Sequence, residues 1–404
     1  MTEKTLNPVT LAKDIDGCRK IMLYGFLIRL LLLIFMLFIA TSFTEPYFIA
    51  DDIKYEETAA YYMDYASSVI DTSKLADVSD AYIAPFWPWA ISIAAYLFNW
   101  VYAGRVINII LSTLTIGVIF NLTYNISGNN KTALLAAKMI AFLPVTVITC
   151  CFPIKDIFIM LGVFYAFDVF VSLQKGEKVG MLRALICATL MVGIYYSRGA
   201  VTELLVVFFF GFFLMKFIRE KRYLAAILSI LLAVGVMAVF GRAIMSSFET
   251  KLEDYGGEAV TEGGVAALTV HGITDIYKLP FAIFFANLQP IKMNLFTGSI
   301  VSWWHNVLAH ANISIYPVAI ANFLYIFGKK HNTLFWTLSM IMYSAVISLS
   351  LGVFRHYLFL IPLEIINCTL YFDVEKTGNR KTAVIFGSLG LFMLMLIYTL
   401  RIAL

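Results

Sequence analysis

The feature that most constrains this chain is a recurrence: stretches of roughly 20 residues almost free of charge, each bounded by Lys, Arg, Asp or Glu. A run of that length matches the ~30 Å hydrocarbon core of a bilayer. In that solvent only a helix or a closed barrel satisfies its own backbone. Such runs lie near 21–44, 105–126, 132–153, 155–174, 182–197, 199–217, 223–245, 305–328, 333–353, 355–373 and 382–402. Composition points the same way, with 61% hydrophobic and only 14% charged residues, where soluble domains hold about 25% charged. The sequence therefore predicts an all-α polytopic membrane protein, with residues 1–404 forming a single integral membrane domain. The net charge of +4 is too small to suggest nucleic acid as a partner. Cys18, Cys150, Cys151, Cys187 and Cys368 fall mostly in apolar runs and show no zinc-type spacing, so they read as small core residues without a disulfide framework. About 20 polar residues precede the first run, unlike a secretory leader, so that run is expected to be a retained span.

One segment is ambiguous. The stretch 84–101, "APFWPWAISIAAYLFNWV", has two prolines, three tryptophans and a short apolar centre. The positive-inside rule decides its status. With the N-terminus cytoplasmic and 84–101 not spanning, the loops carrying Lys131, then Lys175, Lys178 and Arg183, then Lys216, Arg219, Lys221 and Arg222, then Lys329 and Lys330, then Lys376, Arg380 and Lys381 all fall inside. The opposite short loops carry only Lys155, Arg198 and Arg355. If 84–101 spans, the rule fails. About 11 spans follow, with two long outer segments, 45–104 and 246–304. The second contains "DYGGEAVTEGGVAA", whose paired glycines predict a mobile loop, and an apolar piece broken by Pro280 and Pro290 that suits an interfacial or re-entrant helix. Trp303 and Trp304 mark the return to the membrane surface.

Sidedness gathers the charges that interrupt the pattern. Asp51 and Asp52 lie just outside the first span, and Arg105 opens the second from outside. "FPIKD" puts Lys155 and Asp156 at an outer turn, "YYSRG" puts Arg198 at the next, and "VFRHY" puts Arg355 and His356 at another. Short outer loops are ordinarily poor in Lys and Arg, so this collection is a candidate site. In "ADDIKYEETAAYYMDYA", Tyr55, Ala59, Tyr62 and Ala66 recur at helical spacing, which predicts an amphipathic surface helix with its tyrosines down. An Asp at its start suits the N-cap and the positive end of the dipole. One acid suffices there, so the second is surplus. Acids beside Arg, Lys and His suit transfer from a phosphate-linked donor. The carboxylate takes a proton from an acceptor hydroxyl, and the cations bind the departing phosphate. A donor held by a lipid tail accounts for a site at the bilayer edge.

These stretches resemble the polytopic GT-C glycosyltransferases that use polyprenyl-phosphate sugars, especially the bacterial relatives of protein mannosyltransferases and aminoarabinose transferases. The similar elements are the acidic pair opening a surface helix, the Pro-rich aromatic "YIAPFWPWAISIAAYLF", the Arg-initiated helix from Arg105, the acid at "CFPIKDIFIML", and the late "FRHYLFLIPLEII". The resemblance covers about the first two hundred residues and that late segment. It implies Asp51 as catalytic base, with Asp52 the neighbouring alternative, and Asp156 as a second acid. It implies Lys155, Arg198 and Arg355 at the donor phosphate, with His356, Arg105 and Tyr55 as further substrate-binding candidates. The expected partners are a polyprenyl-phosphate sugar donor, a glycan or lipid-linked acceptor, and membrane lipid, at the outer face of a bacterial inner membrane. Two adjacent acids also suit a divalent cation such as Mg or Mn. "APFWPW" stands where the aminoarabinose transferases carry Lys-Pro-Pro-Leu, and no large soluble C-terminal domain follows the last run. The "KD" turn, second outer loop and "RHY" segment also resemble surface-polysaccharide polymerases that join lipid-linked repeat units. A flippase or transporter is the alternative of another class. Its signal is Asp168, deep in an apolar run, which can instead pair with a neighbouring helix.

Overall fold

The computed structural model describes residues 8–42, 46–47, 50–80, 85–224, 227–228, 231, 303–326, 358, 360–374 and 378–403. Among the described residues every regular element is helical. The chain divides into two compact units, residues 1–197, 290–332 and 358–404 in one, and 198–289 with 333–357 in the other. Four described helical segments are long and apolar enough to cross a membrane: Asp14–Ser42, Ala103–Ser127, Asp156–Gln174 and Val201–Ile218. The expected spans 223–245 and 333–353 and the loop 246–304 lie almost wholly outside the described residues.

The first unit begins with α1 (Pro8–Ile34), which passes into a π-helical turn (Phe35–Ile39) and a 3₁₀ turn (Ala40–Ser42). The segment expected to lie outside then forms α2 (Ala50–Tyr65), α3 (Thr72–Asp80) and α4 (Phe86–Phe98). At 13 residues α4 is about 20 Å long, short of a bilayer core, as its two prolines and short apolar centre suggest. Asp71 caps α3 and closes the α2–α3 turn. Its carboxylate accepts from the amides of Ser67, Ser73 and Lys74 and from the hydroxyls of Ser67 and Ser73, at 2.7–3.2 Å. Those bonds, the Ser67 amide first, hold its carboxyl well below the usual range. The buried Tyr62 hydroxyl donates to the Val69 carbonyl and accepts from the Asp71 amide, while the Trp89 indole donates to the Leu75 carbonyl.

Next come α5 (Ala103–Ser127), α6 (Asn130–Phe142), α7 (Pro144–Thr149) and α8 (Asp156–Gln174). α5 and α8 match their expected spans. The run 132–153, read as one span, is instead broken. Pro144 has no amide to continue α6, and Leu143 is extended (φ −62°, ψ 120°). α9 (Met181–Arg219) carries the two runs 182–197 and 199–217, and only Arg198 departs from helical dihedrals inside it (φ −160°, ψ 81°). α10 (Trp303–Ala311), a 3₁₀ turn (Asn312–Ile315) and α11 (Tyr316–Ile326) divide what reads as one run from 305. α12 (Ile361–Val374) and α13 (Gly378–Ala403) complete the unit.

Polar side chains tie these helices to one another. Asn367 donates to Asn322 at 2.8 Å between α12 and α11, and Asn129, the N-cap of α6, donates to Asp373 at 2.7 Å. Asp168 is paired with its neighbours. It accepts from Asn125 of α5 at 2.8 Å and from Arg183 of α9 at 2.7 Å, and Arg183 also donates to Ser172 at 3.1 Å. The cysteines are free thiols, four of the five buried. In the second unit the described chain is α9 beyond Arg198 and a few residues after it, where Glu220 meets Lys216 at 3.9 Å and Arg222 at 3.4 Å.

Candidate active site

The site starts from the register of α2. Asp52, Tyr55, Glu56, Ala59 and Tyr62 are all buried, at 5% exposure or less, and their spacing puts them on one stripe. The tyrosine stripe expected from the sequence is therefore the packed face of this helix. It also carries two carboxylates one turn apart, about 6 Å along the axis. Asp51 belongs to α2 through its backbone, about 100° round the helix from Asp52; its side chain lies outside the described set.

A buried acid needs a partner, and Glu56 has one. Arg105, in the first turn of α5 and fully buried, donates from Nε to Glu56 Oε1 at 2.5 Å and from an Nη to Oε2 at 3.0 Å. Its other Nη donates to the Pro46 carbonyl at 2.7 Å. The rings of Tyr102, Tyr47 and Phe152 surround the guanidinium at 5.3, 5.6 and 5.9 Å. The planar fork of arginine matches a carboxylate bidentately, and its weak hydration suits aromatic faces. Burial pushes the Glu56 carboxyl above its usual range, against the pull of Arg105 and a hydrogen bond from Tyr47. The pair fixes α2, and Asp52 with it, against the N-terminal end of α5.

The second component is the turn between α7 and α8. Its carbonyls have no helical ladder, so side chains supply the donors. Asn108 donates to the carbonyls of Phe152 (2.6 Å) and Ile154 (2.9 Å), and the Trp87 indole donates to that of Pro153 (2.7 Å). Three successive carbonyls are thus held by α5 and α4. The turn delivers Lys155, half-buried at the N-cap position, and Asp156, buried in the first turn of α8. An acid there is favoured by the positive end of the helix dipole. Phe152 joins the parts, since its ring also meets the Trp304 ring edge to face at 6.3 Å. Trp304 is 1% exposed, so it is a core residue of this corner.

The structure thus connects Asp52, Tyr55 and Arg105 to the Lys155–Asp156 turn through Glu56 and Phe152. Arg198 is the single non-helical residue of α9, at the start of the second unit. Arg355 and His356 lie outside the described residues. Sequence reasoning missed Glu56, Asn108, Trp87 and Phe152. Glu56 was open to discovery as the i+4 partner of Asp52, and Asn108 as a polar residue one turn beyond Arg105 in an apolar run. Among the described residues no group of three or more His, Cys, Asp or Glu is arranged to hold a metal ion.

No family model matches the chain, and no curated protein matches it. Among solved structures it is similar to the archaeal oligosaccharyltransferase AglB from Archaeoglobus fulgidus, in complex with an inhibitory peptide and a dolichol-phosphate, at 12% identity and a TM-score of 0.45. The match covers 93% of this chain and 55% of that one, so this chain spans about half the length of the protein it matches. The likeness is slight, and the reading of the site rests on its own residues.

Proposed function

We propose that this chain is an integral membrane glycosyltransferase of the GT-C type, moving a sugar from a polyprenyl-phosphate donor to a glycan or lipid-linked acceptor at the outer face of the membrane. The observation that carries the reading is the connection from the acid-bearing helix to the Lys155–Asp156 turn, through Glu56, Arg105 and Phe152. Two sequence-distant outer segments, each with an acid, are built into one corner.

In this reading a carboxylate at the start of α2 takes the proton of the acceptor hydroxyl. The hydroxyl oxygen attacks the anomeric carbon, the bond from that carbon to the phosphate oxygen breaks, and the configuration inverts. The polyprenyl phosphate leaves with the electron pair, its charge met by Lys155; Arg198, Arg355 and His356 are donor-binding proposals that rest on the sequence alone. Asp52, on the packed stripe, takes the base role, with Asp51 as its alternative. Asp156 is the second acid and Tyr55 lines the acceptor side. Arg105 anchors α2 through Glu56. A divalent cation on the acid pair is a separate proposal, and no step here is routed through it. A transporter role is less well supported, because Asp168 has two partners close by.

The test is transfer by purified protein in nanodiscs from a panel of polyprenyl-phosphate sugars, followed by mass spectrometry of lipid and glycan products. The reading expects one donor to be consumed and a glycosidic product to appear. It expects Asp52→Asn to lose transfer while remaining folded. No product from any donor would contradict it.

A further inference from the structure

The first span holds a fully buried arginine outside the corner described above. Arg29 is 0% exposed in the middle of Asp14–Ser42. Its acceptors are neutral. Nε donates to Ser112 Oγ at 3.0 Å, one Nη to the carbonyls of Gly25 (2.9 Å) and Ala141 (2.8 Å), and the other Nη to that of Ile140 (2.9 Å). A cation at membrane depth is expensive, so what holds it there has to need it.

The need lies at the end of α6. In a continuous helix the amide of residue 144 would bond the Ile140 carbonyl and that of residue 145 the Ala141 carbonyl. Residue 144 is proline, with no amide to give, and the extended Leu143 turns the chain away before Val145. Ile140 and Ala141 are both fully buried, so water cannot replace those donors. Arg29 supplies both, and the Thr146 hydroxyl adds a bond to Ile140 at 2.9 Å. A cation at a helix C-terminus also matches the dipole. Gly25 lets the helices approach, because a Cβ there would lie 2.9 Å from Ile116, 3.1 Å from Arg29 Nη1 and 3.3 Å from Ala141. The far end of α7 returns to the same residue, where the Cys151 thiol meets the Arg29 carbonyl at 3.6 Å.

We infer that Arg29 is a positioning residue, which caps the break before Pro144 from within the first span and thereby sets the Lys155–Asp156 turn at the end of α7. Both ends of α7 are referred to one residue of α1, and the turn follows within four residues. The inference does not depend on the proposed reaction.

The test uses purified, detergent-solubilised protein with Cys187→Ser, reading the alkylation rate of Lys155→Cys by a soluble maleimide. This readout is independent of membrane sidedness and of activity. Arg29→Met should raise that rate by about tenfold, as the uncapped segment opens more often. Arg29→Lys, which keeps a cation and its donors, should stay within about threefold of the parent. If Arg29→Met does not accumulate as folded protein, adding Pro144→Ala should recover it, because without the proline Leu143 can return to helical dihedrals and the amide of residue 144 can then reach Ile140. An unchanged alkylation rate in folded Arg29→Met would overturn the inference. So would equal acceleration by Met and Lys, or failure of Pro144→Ala to recover an unfolded Arg29→Met.

Discussion

Among the described residues two arginines are completely buried, and they are held in opposite ways. In the first turn of α5, Arg105 faces a carboxylate, one main-chain carbonyl and three aromatic rings. Inside the first span, Arg29 faces three carbonyls and a hydroxyl. Where the helix to be held carries its own charge, arginine pairs with that charge and locks one element on another. Where the helix to be held has lost a main-chain donor, arginine replaces the donor. The first arrangement is centred on one charged side chain, whereas the second is spread over several neutral acceptors.

The largest effect should come from splitting the outer pair. Glu56→Ala leaves Arg105 buried beside an empty position and should lower stability by about 3–5 kcal/mol. The double change Glu56→Met with Arg105→Met should be milder than that single one, read as unfolding in detergent. A milder single than double would mean that the pair is not the anchor of α2. Next, Asn108→Ala removes the donors to two buried carbonyls and should cost about 2–4 kcal/mol. It should also raise hydrogen exchange across 152–156 and leave the α6 end unchanged. Spread of that exchange to Ile140 would blur the distinction between the two regions.

On the Arg29 side the sharpest probe is a methyl group. Gly25→Ala brings a carbon within 2.9 Å of Ile116, and should destabilise by about 1–3 kcal/mol through overpacking. A neutral result would show that α1 has room to move and that Arg29 is less constrained than its bonds indicate. The smallest effect is a control in the α2–α3 turn, away from both arginines. The Asp71 carboxyl is held below its usual range by amide and hydroxyl donors. Its contribution should therefore be complete above about pH 4, the unfolded value, and be lost as pH falls through the lowered one. Exchange at the Ser73 and Lys74 amides, corrected for intrinsic rates, should rise on acidification in the parent protein and be flat in Asp71→Asn.

The fold was legible where one rule acted alone. α5 and α8 are long apolar runs with few charges, and the structure ends them close to where the flanking polar residues begin. The short α4 was legible from its two prolines. The break at Pro144 was not, because a 22-residue apolar window keeps its mean hydropathy whether or not one amide is missing. Periodicity found the packed face of α2 through its tyrosines. It passed over Glu56 because an acid in a polar, soluble-looking helix reads as solvent-facing until its partner, 49 residues away, is known. The clamp on the turn between α7 and α8 was hidden for a similar reason. Asn108 and Trp87 act on main-chain carbonyls, and nothing in the order of side chains announces which carbonyls will lack a ladder. Asp168 shows the reverse, since its isolation in the sequence is removed by Asn125 and Arg183 in the fold.

The central claim is that α2 presents the base for sugar transfer at the outer corner. Its most direct test is the rate of transfer from a polyprenyl-phosphate sugar by purified protein, compared among the parent, Asp51→Asn and Asp52→Asn at equal folded concentration. The account predicts loss of about 100-fold or more in Asp52→Asn, with Asp51→Asn retaining transfer. Transfer at the parental rate in both variants would contradict it.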